Sequence, residues 1–195
     1  MNQKSEVLDI AKKNNGIILT KQVSDAKISR KVLNTLEKEG KIFKMQRGVY
    51  VTEDGYVDDY YLLQLRYPKG VFSHETALYI LGYSLRVPTR VNMTFEQGTS
   101  TTRMKKDNII PTMISNHFCE GIIEVKISGG VKIRVYNIER TLIDLLKPRY
   151  DVDFEQLFPA INKYVLNKDK DINKLYNYAK LFRLEGEIIK YFGGY

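Results

Sequence analysis

The sequence has little of the chemistry that disulfides and metal sites need. Its 195 residues include one cysteine, Cys119, and two histidines, His74 and His117. A single cysteine cannot close an intramolecular disulfide, so nothing in the sequence requires an oxidising compartment. Neither histidine has a second His, Cys or carboxylate at a metal-binding spacing. We therefore predict no metal site, no cofactor and no catalytic residue.

Long apolar runs are also missing. No stretch of about 18 apolar residues occurs, which predicts that no segment crosses a membrane. The first residues, MNQKSEVLDIAKK, lack the apolar segment of a secretion signal. Hydrophobic residues make up 43% and charged residues 28% of the chain, as in globular proteins with a buried core. We expect a cytoplasmic protein of one large domain or two small ones.

Positive charge is concentrated near the start of the chain. The whole sequence has a net charge of +8. Residues 1–51 hold 11 Lys and Arg against five Asp and Glu, a net charge of +6, and the other 144 residues hold 20 against 18. A basic segment is typical of a protein that binds a polyanion, although a well-solvated, lysine-rich helical segment has the same composition. The residue pattern within the segment separates these two interpretations.

The basic segment has the pattern of short helices. Apolar residues at helical spacing predict a first helix over 5–14. Thr20 and Ser29 are suited to cap a second and a third helix, over 21–25 and 30–39. In the third helix one stripe is apolar and is expected to be buried. It consists of Ile28, Val32, Leu33 and Leu36.

A hairpin is predicted directly after these helices. The stretch KIFKMQRGVYV (41–51) alternates polar and apolar residues around a Gln46-Arg47-Gly48 turn. Three helices followed by a hairpin is the order of a winged helix-turn-helix, whose third helix enters the major groove of DNA. A winged helix can instead dock another protein, and the sequence leaves that alternative open. The positive charge on the expected face favours DNA.

The winged-helix pattern predicts which residues contact DNA. At the start of the third helix, arginine suits guanine and asparagine suits adenine. Basic groups near helix N-termini and on the wing suit phosphate. The candidate DNA-binding residues are Thr20, Lys21, Lys27, Ser29, Arg30, Lys31, Asn34, Lys44, Gln46 and Arg47.

A short acidic stretch, DGYVDD, separates the basic segment from the rest and predicts domains at 1–54 and 55–195. Beyond it we expect helices over 60–67 and 73–81, the latter capped by Ser73, and a strand over 91–95. The predicted fold is α+β: a winged helix-turn-helix followed by a mixed α+β domain with its helices at the C-terminal end.

A β-hairpin is predicted further along the chain. Residues 122–127 and 131–136 alternate strictly on either side of Ser128-Gly129-Gly130, which predicts two strands with one buried face. The glycine turn lacks the Lys-Ser/Thr of a phosphate-binding loop and precedes a strand, so we interpret it as a turn. The helices expected next are 138–147, capped by Asn137, about 153–166 and about 171–191.

Three reactive residues have ordinary interpretations. His74 and Glu75 are adjacent on a predicted helix and point about 100° apart, so they do not form an acid–base pair. We interpret His74 as a surface or half-buried residue. Cys119 follows Phe118, and we interpret it as a small apolar residue of the core or its edge.

Two functional hypotheses follow from the residues. The first is a DNA-binding regulator whose second region has a separate role. The second is an enzyme that uses its basic N-terminal segment to hold a nucleic-acid substrate. A cluster of carboxylates or histidines in residues 60–195 would favour the enzyme, and the sequence has no such motif.

Several short segments, taken in order, resemble one family. GIILT (16–20), ISRKVL (28–33), EGKI (39–42) and RGVY (47–50) are similar to the N-terminal winged helix of AbiE-type antitoxins. Two further segments resemble the second domain of that family. They are SHETAL (73–78), with Gly82 and Val87-Pro88, and ERTLIDLL (139–146).

The resemblance implies an antitoxin of a type IV toxin–antitoxin pair, a system of abortive infection used in bacterial phage defence. Family members join a winged helix that represses their own operon at inverted repeats to a domain that counteracts a nucleotidyltransferase-like toxin, with or without direct contact. By analogy, 1–54 would bind promoter DNA and 55–195 would be the antitoxin domain. Candidate antitoxin residues are Glu139, Arg140 and Asp144. Arg140 and Asp144 also fit an ordinary helix salt bridge on the face opposite the leucines.

Overall fold

The computed structural model describes residues 2–150 and 153–193. Within them the chain forms two compact units. One comprises Met1–Arg66 with Lys126–Ile133, and the other comprises Tyr67–Val125 with Arg134–Tyr195. These units differ from the predicted domains at 1–54 and 55–195, because the helix after residue 54 packs with the first unit. Residues 151–152 and 194–195 of the predicted second domain lie outside the described residues.

The first unit contains the helices and the hairpin expected from the sequence. Its elements are α1 Gln3–Lys13, β1 Ile17–Leu19, α2 Thr20–Asp25, α3 Lys31–Lys38, β2 Ile42–Gln46, β3 Val49–Thr52 and α4 Asp59–Arg66. The strand β1 was not predicted. It pairs antiparallel with β3, with Ile17 opposite Val51, and β2 lies on the other side of β3.

The core of this unit follows from the helical spacing of its apolar residues. Val7 and Ala11 of α1 pack in one cluster with Leu33 and Leu36 of α3. Within the predicted stripe of α3, Val32 is only partly buried, whereas the other members are buried. Burial of such side chains contributes about 1.5–3 kcal/mol each, so the α3 stripe holds the helix against the unit.

The two predicted helix caps are shifted by one residue. Thr20 is the first residue of α2, because β1 stays paired as far as Leu19. The Leu19 backbone N–H donates to the Gln22 side chain at 3.1 Å. Arg30 occupies the cap position of α3, and Ser29 Oγ accepts only a long bond, 3.4 Å, from the Lys31 N–H. The sequence pattern locates these helices but does not show where strand pairing ends.

The helix α4 packs with the sheet of the first unit. Its apolar residues Leu62 and Leu65 contact a cluster that includes Ile17, Val49 and Val51. Because α4 lies beyond residue 54, this packing explains why the unit is longer than the predicted domain.

The second unit combines a mixed sheet with helices. Its elements are β4 Val71–Phe72, α5 His74–Ile80, β5 Val91–Glu96, β6 Ile109–Ile114, β7 Ile122–Lys126, β8 Lys132–Tyr136, α6 Ile138–Leu145, α7 Phe154–Leu166, α8 Ile172–Phe182 and α9 Glu185–Phe192. The strand order is β6-β5-β4-β8-β7. The helices and the mixed sheet confirm the predicted α+β class.

The strands β4 and β6 were not predicted. β4 is only two residues long, and β6 runs parallel to β5 from Val91 opposite Ile109 to Glu96 opposite Ile114. β4 is antiparallel to β5 and parallel to β8. The parallel pair β5–β6 brings the carboxyl ends of both strands to the same edge of the sheet.

The predicted hairpin is present as β7 and β8, but its predicted burial is wrong for one strand. Ile133 and Val135 of β8 are buried, whereas Ile123 of β7 is 37% exposed. β7 is the edge strand of the sheet, and fewer neighbouring side chains cover it. Residues Lys126–Ile133, around the turn, belong to the first unit.

The helix α6 lies inside the core of the second unit. Every residue from Glu139 to Leu145 is buried. Its Leu142 and Leu145 share a cluster with Leu157 and Ile161 of α7. The Asn137 side chain caps α6, as predicted, by accepting a bond from the Arg140 N–H at 2.9 Å.

The single helix predicted over 171–191 is two helices. α8 ends at Phe182, Arg183 adopts a left-handed conformation with φ 58°, and α9 begins at Glu185. The Leu184 N–H bonds to the Ala179 carbonyl at 2.8 Å and completes the turn. Apolar residues recur at helical spacing on both sides of the break, so periodicity alone does not reveal it.

Across residues 2–150 and 153–193, none of the helices combines the length and the apolar character needed to cross a membrane.

Candidate functional site

The turn between α2 and α3 presents polar residues beside a buried anchor. Lys27 adopts a left-handed conformation with φ 57°, and its N–H donates to the Ser24 carbonyl at 2.9 Å. The next N–H, that of Ile28, donates to the Val23 carbonyl at 3.0 Å, and the Ile28 side chain is buried. Ile28 therefore fixes the turn, while Lys27 and Ser29 on either side of it are exposed.

The start of α3 carries the residues predicted to read bases. Arg30, Lys31 and Asn34 are all exposed. Arg30 Nε donates to Ser24 Oγ at 2.9 Å, and Ser24 Oγ donates to the Thr20 carbonyl at 2.9 Å. Ser24, which the sequence prediction missed, thus ties the Arg30 guanidinium to α2 through Nε. Its helical spacing from Thr20 was the available signal.

Thr20 joins α2 to the hairpin of β2 and β3, which we call the wing. Its N–H donates to the Gly48 carbonyl at 2.9 Å, and its side chain is half-buried. Gly48 adopts φ 82° at the wing turn, a conformation that favours glycine. Lys21, the next residue of α2, is exposed. A backbone hydrogen bond therefore joins α2 to the wing, and a side-chain bond from Arg30 joins the start of α3 to α2.

The wing places two of its three predicted residues in solvent. Lys44 and Arg47 are exposed. Gln46 instead bonds to α4: its Nε2 donates to the Leu62 carbonyl at 3.0 Å, and its Oε1 accepts from Arg66 Nη2 at 2.8 Å. These bonds occupy the Gln46 side chain, so we assign it to holding α4 on the wing. The sequence pattern did not show that α4 returns to this strand.

The wing strand β2 also exposes apolar residues that the sequence prediction missed. Phe43 and Met45 are each 48% exposed on either side of Lys44. β2 is an edge strand of its sheet. The accessible face of the wing is therefore partly apolar as well as basic.

Acidic residues lie at the far end of α3. Glu39 forms ion pairs with Lys4 and with Lys41, the latter at 3.6 Å. The hydrogen bond from Lys4 holds the pKa of the Glu39 carboxyl below its ordinary value. Positive charge at the C-terminal end of α3 is thus partly neutralised, whereas the basic residues at its start have no acidic neighbour in the chain segment 26–34.

The candidate antitoxin residues are buried, so the interpretation of Arg140 and Asp144 as an ordinary surface salt bridge is wrong, although the two residues do form the pair. Glu139, Arg140 and Asp144 are 5%, 0% and 2% exposed. Glu139 Oε1 accepts a long bond, 3.4 Å, from the Tyr164 hydroxyl. The reason is that α6 is enclosed on all sides and has no solvent face.

Arg140 is held by contacts on each side of its guanidinium. Nε lies 2.9 Å from Asp144 Oδ2, and Nη1 donates to the carbonyls of His117 and Glu120 at 2.8 and 2.9 Å. The guanidinium carbon lies 4.3 Å from the ring centroids of both Tyr136 and Phe182, a cation–π geometry. Gly121 has φ 82°, and a Cβ there would lie 2.8 Å from Arg140 Cβ.

Asp144 also binds Lys147. Lys147 Nζ lies 2.5 Å from Asp144 Oδ1 and 4.2 Å from the centroid of the Phe182 ring. Burial lowers the pKa of Lys147, and the adjacent Asp144 partly restores it. One buried carboxylate therefore has two cations around it.

His74 is buried, and its predicted surface or half-buried position is wrong. Its Nδ1 lies 2.9 Å from Ser73 Oγ, and its ring stacks on Tyr150 at 4.3 Å between centroids. Burial lowers the pKa of His74 to about 4. The neighbouring Glu75 accepts bonds from Asn92, at 2.9 Å, and from the hydroxyl of the same Tyr150. His74 and Glu75 therefore share Tyr150 as a neighbour, which the predicted 100° between them does not anticipate.

Cys119 is exposed, which differs from its predicted place in or beside the core. Within the described stretches 2–150 and 153–193, no three His, Cys, Asp or Glu side chains are grouped closely enough to hold a metal ion.

The chain is similar to a known structure in its fold and to a protein family over its N-terminal segment. The chain aligns with the crystal structure of the RV2827C protein from Mycobacterium tuberculosis at a TM-score of 0.60 and 13% identity, covering 92% of this chain and 72% of that one. At this identity the likeness concerns the fold. No match is found among curated proteins. Residues 5–52, which span α1 to the end of the wing, match the family of transcriptional regulators described as AbiEi antitoxins.

Proposed function

We propose that this protein is an antitoxin and transcriptional autorepressor. Its first unit binds inverted repeats in its own promoter, and its second unit counteracts a nucleotidyltransferase-like toxin of a type IV pair that acts in phage defence. Both activities take place in the cytoplasm and proceed by binding, not by catalysis. The family match of residues 5–52 supports the regulator and antitoxin class.

The observation that carries the DNA-binding part is the set of exposed residues around the start of α3. Lys27, Ser29, Arg30, Lys31 and Asn34 are all exposed, and buried Ile28 anchors the turn among them. In a helix-turn-helix the N-terminal residues of this helix meet base edges in the major groove. Arginine and asparagine there suit guanine and adenine.

The wing supplies contacts of a different kind. Lys44 and Arg47 are exposed on the hairpin, and Lys21 is exposed at the start of α2. Basic side chains in these places reach phosphate oxygens, which position the protein and do not read sequence. Thr20, through its bond to Gly48, keeps the wing and α2 together. Gln46 is outside the proposed contact set because α4 occupies its side chain.

The antitoxin part rests on the second unit as a whole. Glu139, Arg140 and Asp144 are buried and therefore cannot be the surface that meets a toxin. We assign Arg140 and Asp144 a positioning role: they join α6 to the loop carbonyls of His117 and Glu120. If substitution of these residues changes antitoxicity, it does so by changing the conformation of the loop that contains His117 and Glu120.

The proposal is tested by titrating the full-length protein onto the duplex upstream of its own gene and onto a scrambled duplex. We expect a specific affinity at least about 1,000-fold above the non-specific one. We also expect log K to fall linearly with log salt, with a slope of about −0.9 for each phosphate contacted. Equal affinity for both duplexes would rule out the specific repressor.

The antitoxin part needs a separate test. The protein is co-expressed in bacteria with the product of the neighbouring reading frame. We expect growth arrest by that product alone and rescue by the full-length chain. A variant with Arg30→Ala and Lys31→Ala should still rescue, because both residues are in the first unit. If the neighbouring product is not toxic, or if the full-length chain does not rescue, the antitoxin proposal fails whatever the DNA result.

A further inference from the structure

A cleft of about 730 Å³ opens in the second unit, at the carboxyl ends of β5 and β6. One wall is formed by Gln97, which follows β5, and by residues 113–117 at the end of β6 and beyond it. The other wall comprises 147–149, after α6, and 182–184, between α8 and α9. In sheets with parallel strands, the carboxyl ends of those strands are where ligands usually bind.

The cleft is lined by cations. Lys147, Arg149 and Arg183 line it, and the described residues that line it include no Asp or Glu. Asp144, which does not line the cleft, has its Oδ1 on Lys147 and its Oδ2 on Arg140, and Glu96 and Glu185 are the chain neighbours of the lining residues Gln97 and Leu184. The lining itself therefore carries three cations and no carboxylate. Positive charge that the protein does not balance favours an anionic ligand.

The charged groups act on one another across a buried region. Burial lowers the pKa of Lys147 most, Asp144 raises it, and Arg140 and Arg149 lower it by a smaller amount. The same three cations lower the pKa of His74. Asp144 partly balances these cations, and a bound polyanion would add further negative charge beside them.

The cleft also has an apolar side. Met113, Phe182 and Leu184 line it. The Phe182 ring is held in place by Arg140 and Lys147 and by an edge-to-face contact with His117 at 5.6 Å. Because both cations lie over the ring, a flat heterocycle would meet Phe182 at its edge, the kind of contact that the ring already makes with His117. Small-molecule sites combine such apolar walls with a few polar groups and have volumes of about 300–1,000 Å³.

We propose that this cleft binds a nucleoside polyphosphate, with the phosphates at Lys147, Arg149 and Arg183 and the base against Phe182 and Leu184. Arg140 does not touch the ligand. It is a positioning residue that holds Phe182 and, through Asp144, Lys147. The inference does not depend on the antitoxin or repressor activity, since every residue in it belongs to the second unit.

The test is isothermal titration of the full-length protein with ATP, GTP, CTP and UTP, with the matching diphosphates, monophosphates and nucleosides, and with inorganic triphosphate. We expect saturable binding of at least one nucleoside triphosphate. Its affinity should fall in the order triphosphate, diphosphate, monophosphate, nucleoside. Arg149→Gln and Arg183→Gln should each weaken binding about tenfold, as loss of one charge-assisted contact does.

Arg103→Gln is the matched control. Arg103 is exposed, belongs to the same unit and does not line the cleft, so this variant removes the same charge without changing the site. It should bind as the unchanged protein does. A further arm contains excess upstream duplex, which should not compete if the nucleotide binds the second unit. Circular dichroism confirms that each variant is folded.

Three results would overturn the proposal. The first is no saturable binding of any nucleotide at millimolar concentration. The second is equal weakening by Arg103→Gln and by the two cleft variants. The third is inorganic triphosphate binding as tightly as the best nucleotide, because that would leave no role for the base. Failure of promoter binding, in contrast, would leave this inference unaffected.

Discussion

Arg140 and Asp144 form an ion pair inside the second unit, with 2.9 Å between Arg140 Nε and Asp144 Oδ2 and side chains 0% and 3% exposed. Among the described residues, Arg140 Nη2 is a buried atom without a hydrogen-bond partner. Taking both charges out of water is costly, and this cost offsets much of the free energy that their attraction contributes to folding. The structural effect of the pair is to join α6 to the segment at His117 and Glu120.

Arg140→Met should destabilise the protein by about 3–5 kcal/mol, because it leaves a buried carboxylate with one cation in place of two. The measurement is the free energy of unfolding from denaturant titration. The matched control is Arg86→Met, which breaks an exposed pair with Asp153 at 2.8 Å and should cost at most about 1 kcal/mol.

The double variant Arg140→Met with Asp144→Leu distinguishes the free energy lost with the ion pair from the free energy lost with the packing of the Arg140 side chain. It should be less stable than Arg140→Met alone, because Asp144 still pairs with Lys147 in the single variant, and its loss leaves the mostly buried Lys147 ammonium without that carboxylate. If the two single substitutions simply add, Arg140 acts through packing and its pairing with Asp144 is unimportant.

Gly121→Ala should unfold the second unit more readily than Gly82→Ala. Both glycines have positive φ, 82° and 75°, so both substitutions strain the backbone by about 1 kcal/mol. At Gly121 the new Cβ would also lie 2.8 Å from Arg140 Cβ, whereas nothing lies within 4 Å at Gly82. The free energies of unfolding of the two variants give the cost of the contact. Equal losses would mean that the Arg140 side chain moves aside freely.

Acid should destabilise the protein through His74. Its pKa is lowered by burial to about 4, so between about pH 6.5 and pH 4 the unfolded state binds a proton that the folded state does not. Stability therefore falls as the pH falls through this window. Between about pH 6.5 and pH 5 the stability lost through His74 is about 2 kcal/mol, at 1.36 kcal/mol per pH unit.

The measurement for His74 compares the pH dependence of unfolding in His74→Asn and in the unchanged protein. Asparagine tolerates the left-handed backbone at this position, where φ is 51°. The matched control is His117→Asn, since His117 has φ 59° and is exposed. The His74 variant should lose less stability in acid, and the His117 variant should follow the unchanged protein. Parallel curves for all three proteins would show that His74 is not the acid-sensitive group.

Arg30 and Arg47 should affect DNA binding differently. Arg30→Ala should cost about 1–3 kcal/mol on the promoter duplex and reduce discrimination against base changes, if Arg30 reads a base. Arg47→Ala should weaken promoter and scrambled duplex equally and make the salt slope shallower by about 1, as loss of a phosphate contact does. Lys38→Ala, at the far end of α3, is the charge-matched control and should change neither the discrimination between duplexes nor the salt slope. Identical effects of the Arg30 and Arg47 variants would contradict the proposed roles.

Local pattern predicted the helices and the wing of the first unit well. The stripe of Leu33 and Leu36, three residues apart, is a property of the helix itself and needs no partner to be recognised. Strand β1 was missed because three residues, Ile17–Leu19, are too few to show alternation. β4 was missed for the same reason.

Predictions about individual side chains depended more on distant contacts. Gln46 lies on the predicted wing, but its hydrogen bonds are to Leu62 and Arg66, 16 and 20 residues away. Arg140 and Asp144 have the spacing of a surface salt bridge and are nevertheless enclosed. The break at Arg183 interrupts a pattern that continues on both sides of it.

The sequence by itself determined where the positive charge lies, which segments are helical and the order of helices and hairpin in the basic segment. These properties depend on neighbours within a few residues. The tertiary structure alone decided that α6 has no solvent face, that Gln46 binds α4, and that Lys147, Arg149 and Arg183 line one cleft. Whether a charged side chain is buried, and beside which others, depends on which segments pack around it, and that packing joins residues far apart in the chain.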